Sequence, residues 1–367
     1  MSIAVLYIDR SVADLPESLH IRSRLSVPAN FVDSPEEVYA DLAATEDPVG
    51  SGKKSLFLTR NKGAFLKACP GTRHYTCCGY RILHVGSYCT MDCSYCILQA
   101  YFHPPVLQYF VNHEELFQEL EECLCAPGIQ RIGTGEFTDS LIWEPWTELS
   151  HNLALRFARQ QRAVLELKTK TVNIEGLLPL AHRSKTILAW SLNTERVIKS
   201  EERGTASLDA RLRAAARCAQ AGYPIAFHFD PVVIYAGGEE EYRQVVERLF
   251  AAVPAEQIVW ISLGAFRFMP DLKAVIQRRF PHSTIVYGEF IAGLDGKARY
   301  FKPLRMQALR SLAQAIRQRA PKACLYLCME DDEVWRHALG FTPAERGGLS
   351  RMLDEAARAH CGLEDAS

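Results

Sequence analysis

The chain has 367 residues, 48% of them hydrophobic and 23% charged, with a formal net charge of −1 and twelve cysteines. These are ordinary globular values, and the length exceeds one typical domain while fitting an α/β barrel with short extensions. They exclude a whole-chain electrostatic pull on nucleic acid, and no apolar run approaches the ~18 residues of a membrane span.

At the start, Ser2–Tyr7 reads as a strand, and Met1 to Arg10 lacks the basic-then-apolar layout of an export signal. Without export, the cysteines point to thiols and metal ligands in a reducing cytoplasm rather than to a disulfide framework. Ser34–Ala44 reads as a short helix, opened by Ser34 with Glu37 three positions on. Glu46–Lys53, with Pro48, Gly50 and Gly52, reads as a loop. A soft boundary at 65–75 separates an N-terminal αβ extension (1–70) from a barrel (71–290), with a C-terminal extension after it (291–367).

From there, short apolar runs alternate with amphipathic ones. Expected strands are Arg81–Ser87, Gln130–Gly135, Val164–Thr169, Thr186–Leu192, Pro224–Phe229, Ile258–Gly264 and Thr284–Gly288. Expected helices are His113–Cys125, Trp146–Gln161, Ile174–His182, Leu208–Ala221, Glu239–Val253 and Asp271–Phe280, with another starting near Pro303. Runs such as Ile187-Leu188-Ala189-Trp190 show little alternation, as in parallel strands buried on both faces. Repeated βα units close toward a barrel or a doubly wound sheet, and in a barrel the chemistry sits at the C-terminal ends of the strands.

Directly after the first of these strands stands Cys89-Thr-Met-Asp-Cys93-Ser-Tyr95-Cys96. Spacings of four and three residues let one short loop wrap an iron–sulfur cube with three thiolates. The fourth iron then keeps an open position that can bind a small molecule. After the second strand, Gly133 and Gly135 allow close backbone approach, and Glu136 is either an acceptor for an ammonium group or an early-helix acid in a plain βα turn. Lys168 and Lys170 end the third strand and can meet a carboxylate. Ser191 and Asn193 alternate at the end of the fourth, facing one way, and suit ribose hydroxyls.

His228 on the fifth strand reads equally as a satisfied core histidine. Tyr235 is either a radical relay or a wall residue. Gly296 to Phe301 joins Lys297 and Arg299 to Tyr300 and Phe301, a combination common in nucleic-acid contacts and also in a segment packed under a helix. Arg267 to Lys322 carries twelve Lys/Arg against three Asp/Glu, and either tracks phosphates or lies on solvated helix faces. Cys69, Cys77 and Cys78 precede the cluster strand and read as packing, structural-metal or hydrogen-donor thiols. Cys324 and Cys328 fall in an expected strand, facing one side.

The triplet with Tyr95 before its last cysteine resembles the radical S-adenosylmethionine (SAM) superfamily. The run Tyr88 to Gln99, then Gly-Glu-Phe-Thr-Asp, Lys-Thr-Lys, Trp-Ser-Leu-Asn and Phe-Asp-Pro-Val-Val-Ile-Tyr, resembles the spore photoproduct lyase family over most of the chain. The resemblance implies an incomplete (βα)6 barrel with the two extensions, and a [4Fe–4S] cluster on Cys89, Cys93 and Cys96. It also implies SAM chelated to the open iron. Tyr95, Gly135, Glu136, Lys168, Lys170, Ser191 and Asn193 would then surround SAM, with an electron donor of flavodoxin or ferredoxin type.

Two positions depart from that family. Its hydrogen-returning cysteine falls here at Phe137, and the second tyrosine of its cluster loop is Ile97. Hydrogen return then falls to Cys77, Cys78, Cys324 or Cys328, with Tyr235 and Tyr300 as further candidates, or else the substrate differs. The expected activity is radical chemistry on a DNA or RNA lesion or base. A small-molecule or peptide substrate is the alternative, and a non-catalytic metal-bearing module a remote one.

Overall fold

The computed structural model describes residues 3–71, 74–102 and 105–364, and its two largest sheets are mostly parallel. The first runs Ala29–Val32, Val5–Asp9, Ser55–Thr59, Leu107–Phe110, Gly86–Ser87, with only the last pair antiparallel. The second runs Leu325–Leu327, Ile258–Ala265, Ile225–Val232, Thr186–Ser191, Ala163–Thr169, Gln130–Gly133, Arg81–Leu83, Leu66–Ala68. Its neighbours are parallel until Leu66–Ala68, which pairs antiparallel at the edge. All six residues of Thr186–Ser191 are buried, because helices cover one face and a shared apolar interior the other. The ends of consecutive strands meet around one cavity, so the sheet is curled into a half-barrel.

Crossover helices at His113–Leu124, Leu208–Gln220 and Gly238–Ala252 lie where the apolar periodicity puts them, as do Pro270–Arg279 and Lys302–Arg319. Pro35–Ala43 opens as expected, with the Glu37 carboxylate accepting from Ser34 N–H at 3.1 Å. Among the described residues no helix is long and apolar enough to cross a membrane.

Several expected elements differ. The first strand is Val5–Asp9, and Ser2 lies outside the described residues. The expected loop Glu46–Lys53 contains the helix Pro48–Gly52. Pro48 suits a first helical position, and Gly52 serves close packing: a Cβ there would stand 1.6 Å from the Pro105 carbonyl oxygen. Arg81–Ser87 divides at His84–Val85, its first part in the half-barrel and its second in the leading sheet.

Thr284–Gly288 is a single turn, closed by Tyr287 N–H donating to the Thr284 carbonyl at 3.1 Å, and not a strand. Ile285 and Val286 are both buried, in a separate apolar cluster with Phe268, Leu272 and Ile276, so the run reflects burial without pleating. Ile174–His182 is turns around Gly176 and Pro179, since proline removes a helical donor. The helix expected at Trp146–Gln161 is confined to Leu149–Phe157. Cys324 and Cys328 flank the short strand Leu325–Leu327 and face different surroundings, the carbonyl of Met352 and the guanidinium of Arg267.

The turn before Leu149 holds Glu144, whose Oε1 is buried and, among the described residues, has no hydrogen-bond partner. Burial pushes this carboxyl up to about 7 from an ordinary 4.5. A raised folded-state value contributes stability that is complete below the unfolded value and lost as pH rises through 7. Glu144→Gln is therefore expected to stabilise the protein by about 2 kcal/mol at pH 8 and hardly at all at pH 4. Urea midpoints at the two pH values measure this, and equal shifts at both would contradict it.

Candidate functional site

The cluster loop is shaped before its first thiol. Tyr88 has a left-handed backbone, φ 75°, and its N–H donates to the Phe137 carbonyl at 2.8 Å. Asp92 and Cys93 then pair antiparallel with Arg203 and Glu202, and Ser94 N–H donates to the Glu201 carbonyl at 2.8 Å. From inside the loop, the Gln99 amide donates to the carbonyls of Cys93 and Ser94, each at 3.0 Å. Tyr95 hydrogen-bonds Glu202, which is paired with Arg211 at 2.5 Å. The loop is thereby rigid, with both ends tied to barrel elements.

Cys89, Cys93 and Cys96 line a cavity of about 280 Å³. All three are free thiols. Burial pushes Cys89 up to about 12 and Cys93 also above the ordinary thiol value. They become ligands only when a bound cation displaces their protons. Among the described residues no three His, Cys, Asp or Glu side chains converge on a single-ion position. Three soft donors spread around a cavity suit a multi-iron cluster, which is wider than one tetrahedral ion.

The opposite wall comes from the strand ends. Gly135 is required where it stands, since a Cβ would meet Lys168 Cβ at 3.0 Å and Ser140 Oγ at 3.1 Å. Asp139 pins this turn to the third strand, accepting from Thr169 Oγ1 at 2.8 Å and from Lys170 N–H at 2.7 Å. Glu136 lines the cavity and, among the described residues, its carboxylate has no hydrogen bond or salt bridge. Lys168 also lines it; burial alone would lower this ammonium, but Asp230, Glu136 and Glu166 carry it above its ordinary value. Lys170 lies 5.7 Å from the Tyr95 ring centroid, and Ser191 completes this side. An open carboxylate, two ammonium groups and a hydroxyl are the complement of an amino acid joined to a sugar.

Not every expected residue reaches this cavity. Asn193 is 1% exposed and committed elsewhere: its amide donates to the Pro231 carbonyl at 2.9 Å, and its oxygen accepts from Tyr242 at 2.6 Å. Tyr235 hydrogen-bonds Thr194 at 2.6 Å and donates to Glu241 at 2.9 Å, outside the cavity. Tyr300 accepts from Ile234 N–H at 3.2 Å and stacks on Phe290. Cys77 and Cys78 form a thiol group with Cys69; the thiols of Cys69 and Cys78 hold Cys77 far below its ordinary value. His228 is a satisfied core histidine, bonded to Ser262 at 2.6 Å and to Glu166 at 3.0 Å.

Asp230, Arg267 and Met329 also line the cavity and were not singled out from sequence, and Lys297, read there only as a nucleic-acid contact or a packed segment, joins them. Asp230 pairs with Arg267 at 3.2 Å; burial opposes its charge, but Arg267 and Lys168 keep it below the ordinary carboxylate value. The signal was present in Phe-Asp-Pro, but its partner lies 37 residues away. The basic run from Arg267 is partly internal. Arg267, Arg279, Arg299 and Arg305 are all largely buried, paired with Asp230, Asp92, Asp295 and Glu330. Phe137 packs its ring against His84, with centroids 4.7 Å apart, and against Phe102.

A family model described as spore photoproduct lyase matches residues 77–323. The spore photoproduct lyase of Bacillus subtilis (strain 168) is 31% identical over 206 residues, 55% of this chain and 60% of that protein. That of Clostridium acetobutylicum is 24% identical over 254 residues, 68% and 71% of the two chains. The chain thus matches less than two thirds of the Bacillus subtilis relative's length. A solved spore photoproduct lyase variant superposes with a TM-score of 0.79 at 21% identity, covering 89% of this chain and 98% of its own. Another, with bound AdoMet and dinucleoside spore photoproduct, gives 0.78 at 21% identity and the same coverage. At that identity the likeness establishes the fold, a mixed α/β chain built on a curled parallel half-barrel.

Proposed function

Because the chain belongs to the spore photoproduct lyase family of the radical SAM superfamily, we propose that it is a radical SAM enzyme acting on a nucleic-acid lesion or base. The observation that carries this reading is one cavity bordered by three free thiols on one side and Glu136, Lys168, Lys170 and Ser191 on the other. The (βα)6 unit would run from Arg81–Leu83 to Ile258–Ala265, with Leu325–Leu327 added beyond it. Residues 1–70 and 291–367 would be its extensions.

Cys89, Cys93 and Cys96 would hold a [4Fe–4S] cluster. Glu136 would accept from the ammonium of SAM, Lys168 or Lys170 would face its carboxylate, and Ser191 its ribose. Gly135 and Tyr95 would shape the floor. The chemistry supplied on loading is one-electron cleavage of SAM to methionine and a 5′-deoxyadenosyl radical, fed by a flavodoxin- or ferredoxin-type donor. The protein's own part is orientation and exclusion of water: Asp139 fixes the Glu136 turn, and Phe266 and Phe268 wall the cavity with carbon.

Hydrogen return is where this chain departs from the lyase route. Phe137 fills the expected cysteine position, so the thiols of Cys77, Cys78 or Cys328 would return the hydrogen. Cys328 is within 3.6 Å of Arg267, a cavity residue. Tyr235 and Tyr300 would serve only as outer relays, given their contacts. Thiols kept free suit a reducing cytoplasm.

A second reading has its own support. Internal pairing of Arg267, Arg279, Arg299 and Arg305 removes charge from the supposed phosphate track, which favours a compact small-molecule or peptide substrate. The test is anaerobic reconstitution followed by reduction with SAM. About four irons per chain and 5′-deoxyadenosine are expected, with binding to oligonucleotides that weakens as salt rises. No 5′-deoxyadenosine would defeat the enzyme reading. Cleavage without oligonucleotide binding at low salt would leave the compact-substrate reading standing.

A further inference from the structure

The side of the cluster loop facing away from the SAM pocket holds two cations that the proposed reaction does not use. Lys53, at the C-terminal end of the short helix Pro48–Gly52, is 1% exposed. Its ammonium donates to the Cys89 carbonyl at 3.3 Å and to the Met91 carbonyl, lies 3.7 Å from Asp92, and sits 4.5 Å from the Tyr88 ring centroid. Arg279 is 8% exposed and reaches the same Asp92 at 3.0 Å. It also hydrogen-bonds Gln99, whose amide holds the Cys93 and Ser94 carbonyls.

Burying an ammonium is costly unless its partners offset the cost. Asp92 is shared between Lys53 and Arg279, while the other acid on Arg279, Asp47, is 57% exposed and screened by solvent. The loop backing therefore keeps an excess of positive charge directly behind Cys89 and Met91. A three-thiolate [4Fe–4S] cluster becomes more negative by one charge on reduction, and a buried cation at that distance favours the added electron.

We propose that Lys53 is a positioning residue for the cluster, orienting the Cys89–Met91 segment through its carbonyls and raising the reduction potential through its charge. Asp92 opposes that charge. This rests on the cluster assignment above, and it makes the leading sheet and its short helix part of the electron-accepting machinery.

The test uses the full chain, reconstituted anaerobically, with iron analysis and a potential titration followed by electron paramagnetic resonance. In Lys53→Met the reduced-to-oxidised ratio at fixed potential is expected to fall about tenfold, equivalent to about 59 mV for one electron. In Asp92→Asn it is expected to rise, because two cations lose their shared acid. Opposite signs are the signature, since mere loosening of the loop would move both variants the same way.

A Lys53→Met potential within twofold of the parent, or an Asp92→Asn shift of the same sign, would overturn the proposal. If Lys53→Met holds no iron, Asp92→Asn decides: a rise supports the proposal, and no change or a fall overturns it. A parent chain that binds no iron would instead overturn the cluster assignment itself, and the proposal falls with it.

Discussion

Cys93→Ala is expected to abolish reductive cleavage of SAM, a loss on the order of a thousandfold or more in rate, equivalent to about 4 kcal/mol or beyond. Its thiol is the middle donor of the triplet, and two remaining thiols leave a second iron without a protein ligand. The fold itself should persist. The pairing of Cys93 with Glu202 is made by backbone groups, which alanine keeps. Iron content, visible absorbance and 5′-deoxyadenosine are the measurements. Cys218→Ala is the control, because Cys218 is fully buried in a helix remote from the cavity lining and should retain all three. A Cys93→Ala protein holding about four irons and still cleaving SAM would remove the basis of the functional assignment.

Arg211→Met is expected to cost the most stability, about 3–5 kcal/mol. Arg211 is wholly buried and donates to the Ala206 and Ser191 carbonyls, each at 2.9 Å, to Thr205 at 2.7 Å and to Glu202 at 2.5 Å. Methionine fills the space but leaves the Glu202 carboxylate without its main counter-charge. Glu202 also pairs with Cys93 through the backbone and accepts from Tyr95, so the cluster loop should loosen as stability falls. Denaturant midpoints should show the loss, and Arg211→Met with Glu202→Gln should recover part of it. A double-variant loss equal to the sum of the losses in Arg211→Met and Glu202→Gln alone would mean that the pair carries no coupling.

The half-barrel strands were legible because parallel strands buried on both faces become unbroken apolar runs, as in Thr186–Ser191. The nearer site residues were legible for a related reason. Strand ends converge, so Glu136, Lys168 and Ser191 could be collected from three separate turns. Position along the chain hid the rest. Lys53 reaches Cys89 across 36 residues, and Arg279 reaches Asp92 across 187. No local pattern reports such pairs.

The internal arginines misled for the same reason, since linear clustering says nothing about which acid lies opposite. Thr284–Gly288 failed differently, because turn residues packed into an apolar cluster carry the same composition as a strand. Asn193 failed through direction: the backbone leaves strand geometry after Ser191, and alternation stops with it.

The half-barrel has a seam. Its sheet ends at Leu66–Ala68 on one side and Leu325–Leu327 on the other. The segment Tyr75–Cys78 crosses between these ends, with Thr76 N–H donating to the Glu330 carbonyl at 3.3 Å and the Tyr75 ring 3.9 Å from Arg299. Among the described residues, isolated contacts stand here in place of a strand ladder, and the segment that makes them carries Cys77 and Cys78. Two free thiols are thus placed on the segment that spans the open side of the half-barrel, and not on a strand of it.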